Sequence, residues 1–286
     1  MSQQNSGDKN TEAATMDPGQ DSGRTNDSGT PAGMAPERLL DAYGRWFEVV
    51  RAGSEELRRE VYRIRYHVLA VEHPYLDPDD YPDDQEFDEF DAHSVHSLLV
   101  HKPTGALAGT VRVVLPFHGR EPRRLPIEDH CHDPIARDPT RFPVHRVGEV
   151  SRFSVSKTFR RRLTDTLYPD ALDDRIGQVP DTNEARRVMP HITLGLMQAA
   201  IGMAVENGLT HLCATMERQL LRLLARVGVH FVEVGPLVEL FGLRQPCFRD
   251  IGDLLSQIHD ERPDVSDVLS NEGRYEEAVR RNRHGD

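Results

Sequence analysis

Large apolar side chains are nearly absent from the first 36 residues, a stretch rich in Ser, Gly, Asn, Asp, Thr and Gln. Such a segment buries too little to offset its ordering entropy, so residues 1–36 are expected to be a disordered tail. It also lacks a basic start followed by an apolar run, and no later run has the unbroken apolar length needed to span a bilayer; the expectation is a cytoplasmic protein. Cysteine is scarce: Cys131, Cys213 and Cys247 stand far apart, which excludes a disulfide scaffold and leaves no CxxC pair for zinc or redox chemistry. Positive charge is in deficit, with 35 Lys and Arg against 47 Asp and Glu, and this argues against non-specific nucleic-acid binding. The Asp-rich stretch 77–91 lacks the central glycine of a calcium loop. Neither His93 with His96 nor His130-Cys131-His132 has zinc-ligand spacing, so no metal is expected. Ser151 lies in no Gly-x-Ser-x-Gly elbow.

What is present reads as one domain over residues 37–260, followed by a charged tail, 261–286, expected to fray. Leu39, Leu40, Tyr43, Trp46, Phe47 and Val50 recur at helical spacing, predicting a first helix over 37–50. Ser54 suits an N-cap before Glu55 and Glu56, and Leu57, Val61, Ile64 and Val68 continue a second helix toward His73-Pro74. The acidic loop to Asp91 has too much Asp and Pro for regular structure. Residues 98–101 and 107–115 predict a hairpin turning at Pro103-Thr104-Gly105, and 149–155 a further strand. From residue 190 the pattern is helix (to Asn207-Gly208), strand (212–216), helix (217–227, closed by Gly228), strand (229–234), and an amphipathic piece around Ile251 and Ile258.

Several charges sit where apolar residues would cost less: Arg65 in the second helix, Asp88 and Asp91, Arg112 inside a strand, and Glu149 with Arg152 in another. Burying a charge is unfavourable unless it is paired. Each alone reads better as a solvated surface charge. Together they admit an ion-pair network of Arg112 and Arg152 with Asp88, Asp91 and Glu149.

In this order the blocks Arg65-Tyr66-His67-Val68-Leu69, Phe87-Asp88-Glu89-Phe90-Asp91, Gly109-Thr110-Val111-Arg112 and Glu149-Val150-Ser151-Arg152-Phe153 resemble the signature of acyl-homoserine-lactone synthases, a group of GNAT-fold acyltransferases. The longer acidic loop, the run Ser156 to Arg162 and the C-terminal half look more like acyltransferases associated with PEP-CTERM/exosortase systems, grouped with N-acyl amino acid synthases. Leu69 stands where the autoinducer synthases have Phe, and Tyr75 where they have Trp. These departures touch the amine and acyl pocket, not the fold. The resemblance implies an α/β (α+β) fold, a three-layer α-β-α sandwich whose mixed, mostly antiparallel sheet splays between strands 149–155 and 212–216. That gap would admit a phosphopantetheine arm.

The resemblance also implies roles. Aminolysis of a thioester needs an amine that has lost its proton, and Glu149 is the first choice of base; pairing with Arg112 or Arg152 is the competing explanation. Asp88 and Asp91 would bind the substrate ammonium or merely order their loop. Arg65, Arg112 and Arg152 would bind a carboxylate or fix these acids. In an unbroken strand Glu149 and Arg152 point to opposite faces; a bulge would bring them nearer one side, and the resemblance implies a bulge in this strand. Phe153 and Val155 would line the donor arm. Arg160, Arg161 and Arg162 would accept its phosphate or the acidic surface of an acyl-carrier protein; a solvated basic turn explains them as well. A glycine-rich diphosphate loop is missing after Val155, which favours a carrier-protein thioester over acyl-coenzyme A, with no permanently bound cofactor. The leading expectation is an N-acyltransferase acting on an amino acid or similar small amine. The alternatives are an acyl-homoserine-lactone synthase using S-adenosylmethionine, and a non-catalytic module sensing acyl carrier or lipid.

Overall fold

The computed structural model describes residues 38–116, 125–133, 138, 142–157, 159 and 183–284. The first helix is shorter than its periodicity suggests. α1 (Leu39–Trp46) stops where Phe47 becomes extended, and Phe47–Arg51 forms β1. The β-branched pair Val49-Val50 suits an edge strand, and antiparallel pairing with β2 (Ser94–His101) prevails over helical spacing. Ser54 caps α2 (Glu55–Tyr66) as expected, its hydroxyl accepting the Leu57 N–H at 3.3 Å. A π-helical stretch, His67–Glu72, continues it. The acidic loop is less irregular than expected, with 3-10 turns at Pro78–Asp80 and Glu89–His93.

The hairpin of β2 with β3 (Ala106–Val114) forms as expected, and β4 (Val147–Val155) joins it antiparallel. A crossover containing α4 (Asn183–Glu206) leads to β5 (His211–Glu217), followed by α5 (Arg218–Arg226). Of the strand expected over 229–234 only β6 (Val232–Glu233) pairs, and β7 (Val238–Glu239) and β8 (Leu243–Asp250) are additional. β8 lies along the whole of β5. Its Arg244, Pro246 and Arg249 interrupt the alternation by which a strand is recognised.

The sheet order is β1-β2-β3-β4-β5-β8-β6, with β7 also on β8, and only β4 and β5 run parallel. Alternation gives the sheet two faces. One carries Leu99, Val111, Val113, Val150 and Leu212 into the principal core beneath α4 and α6 (Ile251–Glu261). On the other, Leu98 packs with Val61 of α2, while Val114, Val147 and Cys213 pack beside the short α3 (Ile127–His130). This is the expected three-layer sandwich. The expectation of a fraying tail over 261–286 is corrected. α7 (Pro263–Leu269) and α8 (Arg274–His284) bury Val265, Val268, Leu269 and Val279 in the principal core, because a few apolar residues at helical spacing are enough to dock a charged helix. No described helix is long and apolar enough to cross a membrane.

Candidate active site

β4 and β5 run together for three rungs, Val147↔His211, Gly148↔Leu212 and Glu149↔Cys213, and beyond them their pairing ends. Gly148 permits this approach: a Cβ there would sit 2.5 Å from Leu209 Cδ1 and 2.9 Å from Val113 Cγ1. Glu149 therefore stands at the apex of the widening gap. It is only 3% exposed, on the face shared with Cys213, and its carboxylate accepts the Ile127 N–H at 2.6 Å. Burial pushes its pKa up to about 8, against the opposing pull of that N–H and of the Arg112 and Arg152 charges. Burial also raises the Cys213 thiol well above its ordinary value, with the Glu149 charge adding to it.

Next to Glu149 on the same face lies an ionic cluster. Arg65 is one helical turn after Val61, so the residue that anchors α2 on the sheet also determines where Arg65 points. Fully buried, Arg65 forks onto Asp91, with Nη1 to Oδ1 at 2.7 Å and Nη2 to Oδ2 at 3.0 Å, and donates through Nε to Glu86. Arg112 donates through Nη1 to Asp88 at 2.5 Å and Asp91 at 3.0 Å, and through Nε to the Ser151 hydroxyl at 2.9 Å. Arg152 reaches Glu86 at 2.9 Å and Asp88 at 2.9 Å. Asp88 and Asp91 are not in a non-helical segment as expected: they form a capping box on the 3-10 turn, Asp88 accepting the Phe90 N–H and Asp91 the Asp88 N–H.

The expected bulge is present. Thr110 pairs with Ser154 and Arg112 with Ser151, so β4 carries one residue more than β3, and Arg152 takes the left-handed φ of 50°. This turns Arg152 onto the face of Glu86 and Asp88.

Three arginines thus meet three carboxylates, and all six are paired among themselves. Burial alone would raise the carboxyls, but Arg65 with Arg152 lowers Glu86, and Arg65 with Arg112 holds Asp91 far below the usual carboxylate range. Buried His96 lies 3.5 Å from Asp91, and burial lowers its pKa to about 4, so it is neutral. The expectation that Glu149 joins this network is corrected: among the described residues it makes no ion pair, since it reaches sideways to Ile127. Glu86 and His96 were not anticipated as site residues. Glu86 is one acid among many in its loop; its N–H donates to Tyr62 O at 3.1 Å, and its carboxylate accepts from Arg65 and Arg152. Phe153 and Val155 are half-buried against the principal core, and Arg160, Arg161 and Arg162 lie outside the described residues. An open groove of about 510 Å³ runs from Ser156 between Arg63, Tyr66 and His67 on one side and Asp83 and Asp84 on the other.

With this geometry the comparisons agree. Residues 64–169 match the Acetyltransferase (GNAT) domain. TofI, solved in a ternary complex with an inhibitor and MTA, superposes with a TM-score of 0.51 at 20% identity, over 77% of this chain and 99% of that one. The fold is that of the GNAT enzymes. The CoA-dependent acyl-homoserine lactone synthase BjaI, with SAM and isopentyl-CoA, is 16% identical over 84% of this chain and 99% of its own, with a TM-score of 0.44. FeeM, an N-acyl amino acid synthase from uncultured soil microbes, is 14% identical over 74% and 94%, with a TM-score of 0.40. No curated protein sequence matches the chain. The domain match supports an acyltransferase.

Proposed function

We propose that this chain is an N-acyltransferase that moves a long-chain acyl group from a carrier thioester to the amine of an amino acid or similar small molecule in the cytoplasm. Glu149 carries this reading: a sealed carboxyl that makes no ion pair among the described residues, poised to exchange a proton near neutral pH, at the point where two strands part. Near its pKa a carboxylate takes the proton from an ammonium. The freed nitrogen attacks the thioester carbon and the carbon–sulfur bond breaks. The second N–H proton, lost as the amide forms, balances the one the departing sulfur gains. Backbone N–H groups of β4 beyond the last rung, and at its bulge, supply donors for the oxyanion.

The ionic cluster divides by exposure. Arg65, Arg112 and Asp91 are sealed, whereas the side chains of Arg152 and Asp88 are 19% and 24% exposed at the rim. An amino acid brings one ammonium and one carboxylate, which suit Asp88 and Arg152; the sealed members hold these two in place. Leu69 and Tyr75, in place of Phe and Trp, turn the reading away from homoserine lactones. So does the resemblance to the acyltransferases of PEP-CTERM/exosortase systems. The basic run after β4 and the missing diphosphate loop favour acyl-carrier protein as donor. Mass spectrometry of lipids from a heterologous host expressing the chain tests this: a new N-acyl amino acid is expected. A new acyl-homoserine lactone would make it an autoinducer synthase, and no new lipid would leave a non-catalytic module; either overturns the proposal.

A further inference from the structure

The backbone just after β4 is already occupied by an anion of this chain's own. Glu72, the last residue of the π-helical stretch, places both carboxylate oxygens on the Lys157 N–H, at 2.8 and 3.0 Å. Lys157 Nζ returns a bond to the Glu72 carbonyl at 3.0 Å. The Glu72 side chain is 7% exposed, with His67 Nε2 at 3.6 Å from its carboxylate. Further on, the Phe159 N–H donates to the Ser156 hydroxyl at 3.1 Å. Among the described residues, these two amide donors after β4 are therefore filled from within, the Lys157 N–H by a carboxylate.

This placement matters because of the gap. It opens from Glu149 toward the far ends of β4 and β5. A thioester held at Glu149 must send its pantetheine arm out through the open end, so the phosphate end of the donor emerges beside Ser156 and Lys157. A carrier protein presents a single phosphodiester there. Coenzyme A presents a diphosphate and a 3′-phosphate, which need several donors and are repelled by a fixed carboxylate in a partly desolvated place.

We propose that Glu72 is a donor-selecting residue: its carboxylate fills the amide that a diphosphate would use and so disfavours coenzyme A thioesters relative to carrier-borne ones. The inference rests on the thioester reading given above and deepens it by naming a residue that sets the donor. Glu72→Gln keeps an oxygen to accept the Lys157 N–H and removes only the charge; Glu72→Ala removes both. Binding of free coenzyme A, measured by isothermal titration, needs no turnover and so is independent of whether Glu149 is the base. Both variants should bind coenzyme A roughly tenfold or more tightly than the wild type at low salt, the gain shrinking as salt screens the charge. The ratio of kcat/KM for acyl-coenzyme A to that for the acyl-carrier protein should rise to match in each variant, and any loss of folded protein cancels in that ratio. Unchanged coenzyme A affinity in both variants, or a wild type that already uses the two donors equally, overturns the proposal while leaving the acyl-transfer reading intact.

Discussion

The α2-facing side of the sheet holds two acidic regions with opposite electrostatic logic. In one, Glu86, Asp88 and Asp91 face Arg65, Arg112 and Arg152, and mutual pairing keeps the six charged and fixed. In the other, Glu149 is bonded to an amide and makes no ion pair among the described residues, and burial raises its pKa against the more distant pull of Arg112 and Arg152. A carboxylate with a dedicated arginine is a poor base, because its proton affinity has been taken from it. One without such a partner keeps its affinity. On the proposed reading, Glu149 is the base among the described buried acids, and the paired ones hold shape.

The comparison breaks first at Arg112. Arg112→Ala removes one of two arginines from the sealed Asp91 and from Asp88 at the rim, and the expected loss is about 3 kcal/mol of stability. Urea unfolding checks it, and an unchanged midpoint would mean that the cluster does not hold the fold. An oppositely signed effect belongs to Glu149. Its folded pKa, about 8, lies above its ordinary value of 4.5, so the native state keeps a proton that the unfolded chain has released. Its contribution is complete below the ordinary value and is lost as pH rises through about 8. In that window its share of the stability should fall by no more than about 1.4 kcal/mol per pH unit. Glu149→Gln should remove that slope. Glu86 and Asp91, whose pKa values are lowered, act the other way: they stabilise above the ordinary carboxylate range and lose their effect in acid. Unfolding of the variant at pH 5, 7 and 9 separates the two, and a slope that survives the substitution would mean Glu149 is already ionised in the fold.

Much of this site is legible in the sequence because buried charge is costly enough to stand out against apolar strands. Arg112 and Arg152 declare themselves in that way, and the resemblance implies the bulge that the backbone shows, which resolves the parity of Glu149 and Arg152. Partnership is harder to read. Nothing local says that Glu86 rather than Asp83 or Asp84 meets Arg65, since the choice is made by where α2 docks on the sheet. Nor does the sequence say that Glu149 reaches Ile127, more than twenty residues earlier along the chain. The fold divides similarly. The β2–β3 hairpin and the capped α2 follow from local pattern, whereas β1 and β8 exist because a neighbouring strand offers them a ladder. α7 and α8 escape notice for a related reason: their charge dominates the composition while four apolar residues make the contact.

The central claim is that Glu149 is the base, and the pH dependence of kcat/KM tests it most directly, with Glu149→Gln beside the wild type. The wild type should gain activity as pH rises and level off above a midpoint near 8. The variant, folded to the same extent by circular dichroism, should be slower by about two orders of magnitude or more and lack that component of the profile. Near-normal turnover by Glu149→Gln, with the wild-type midpoint intact, would contradict the account.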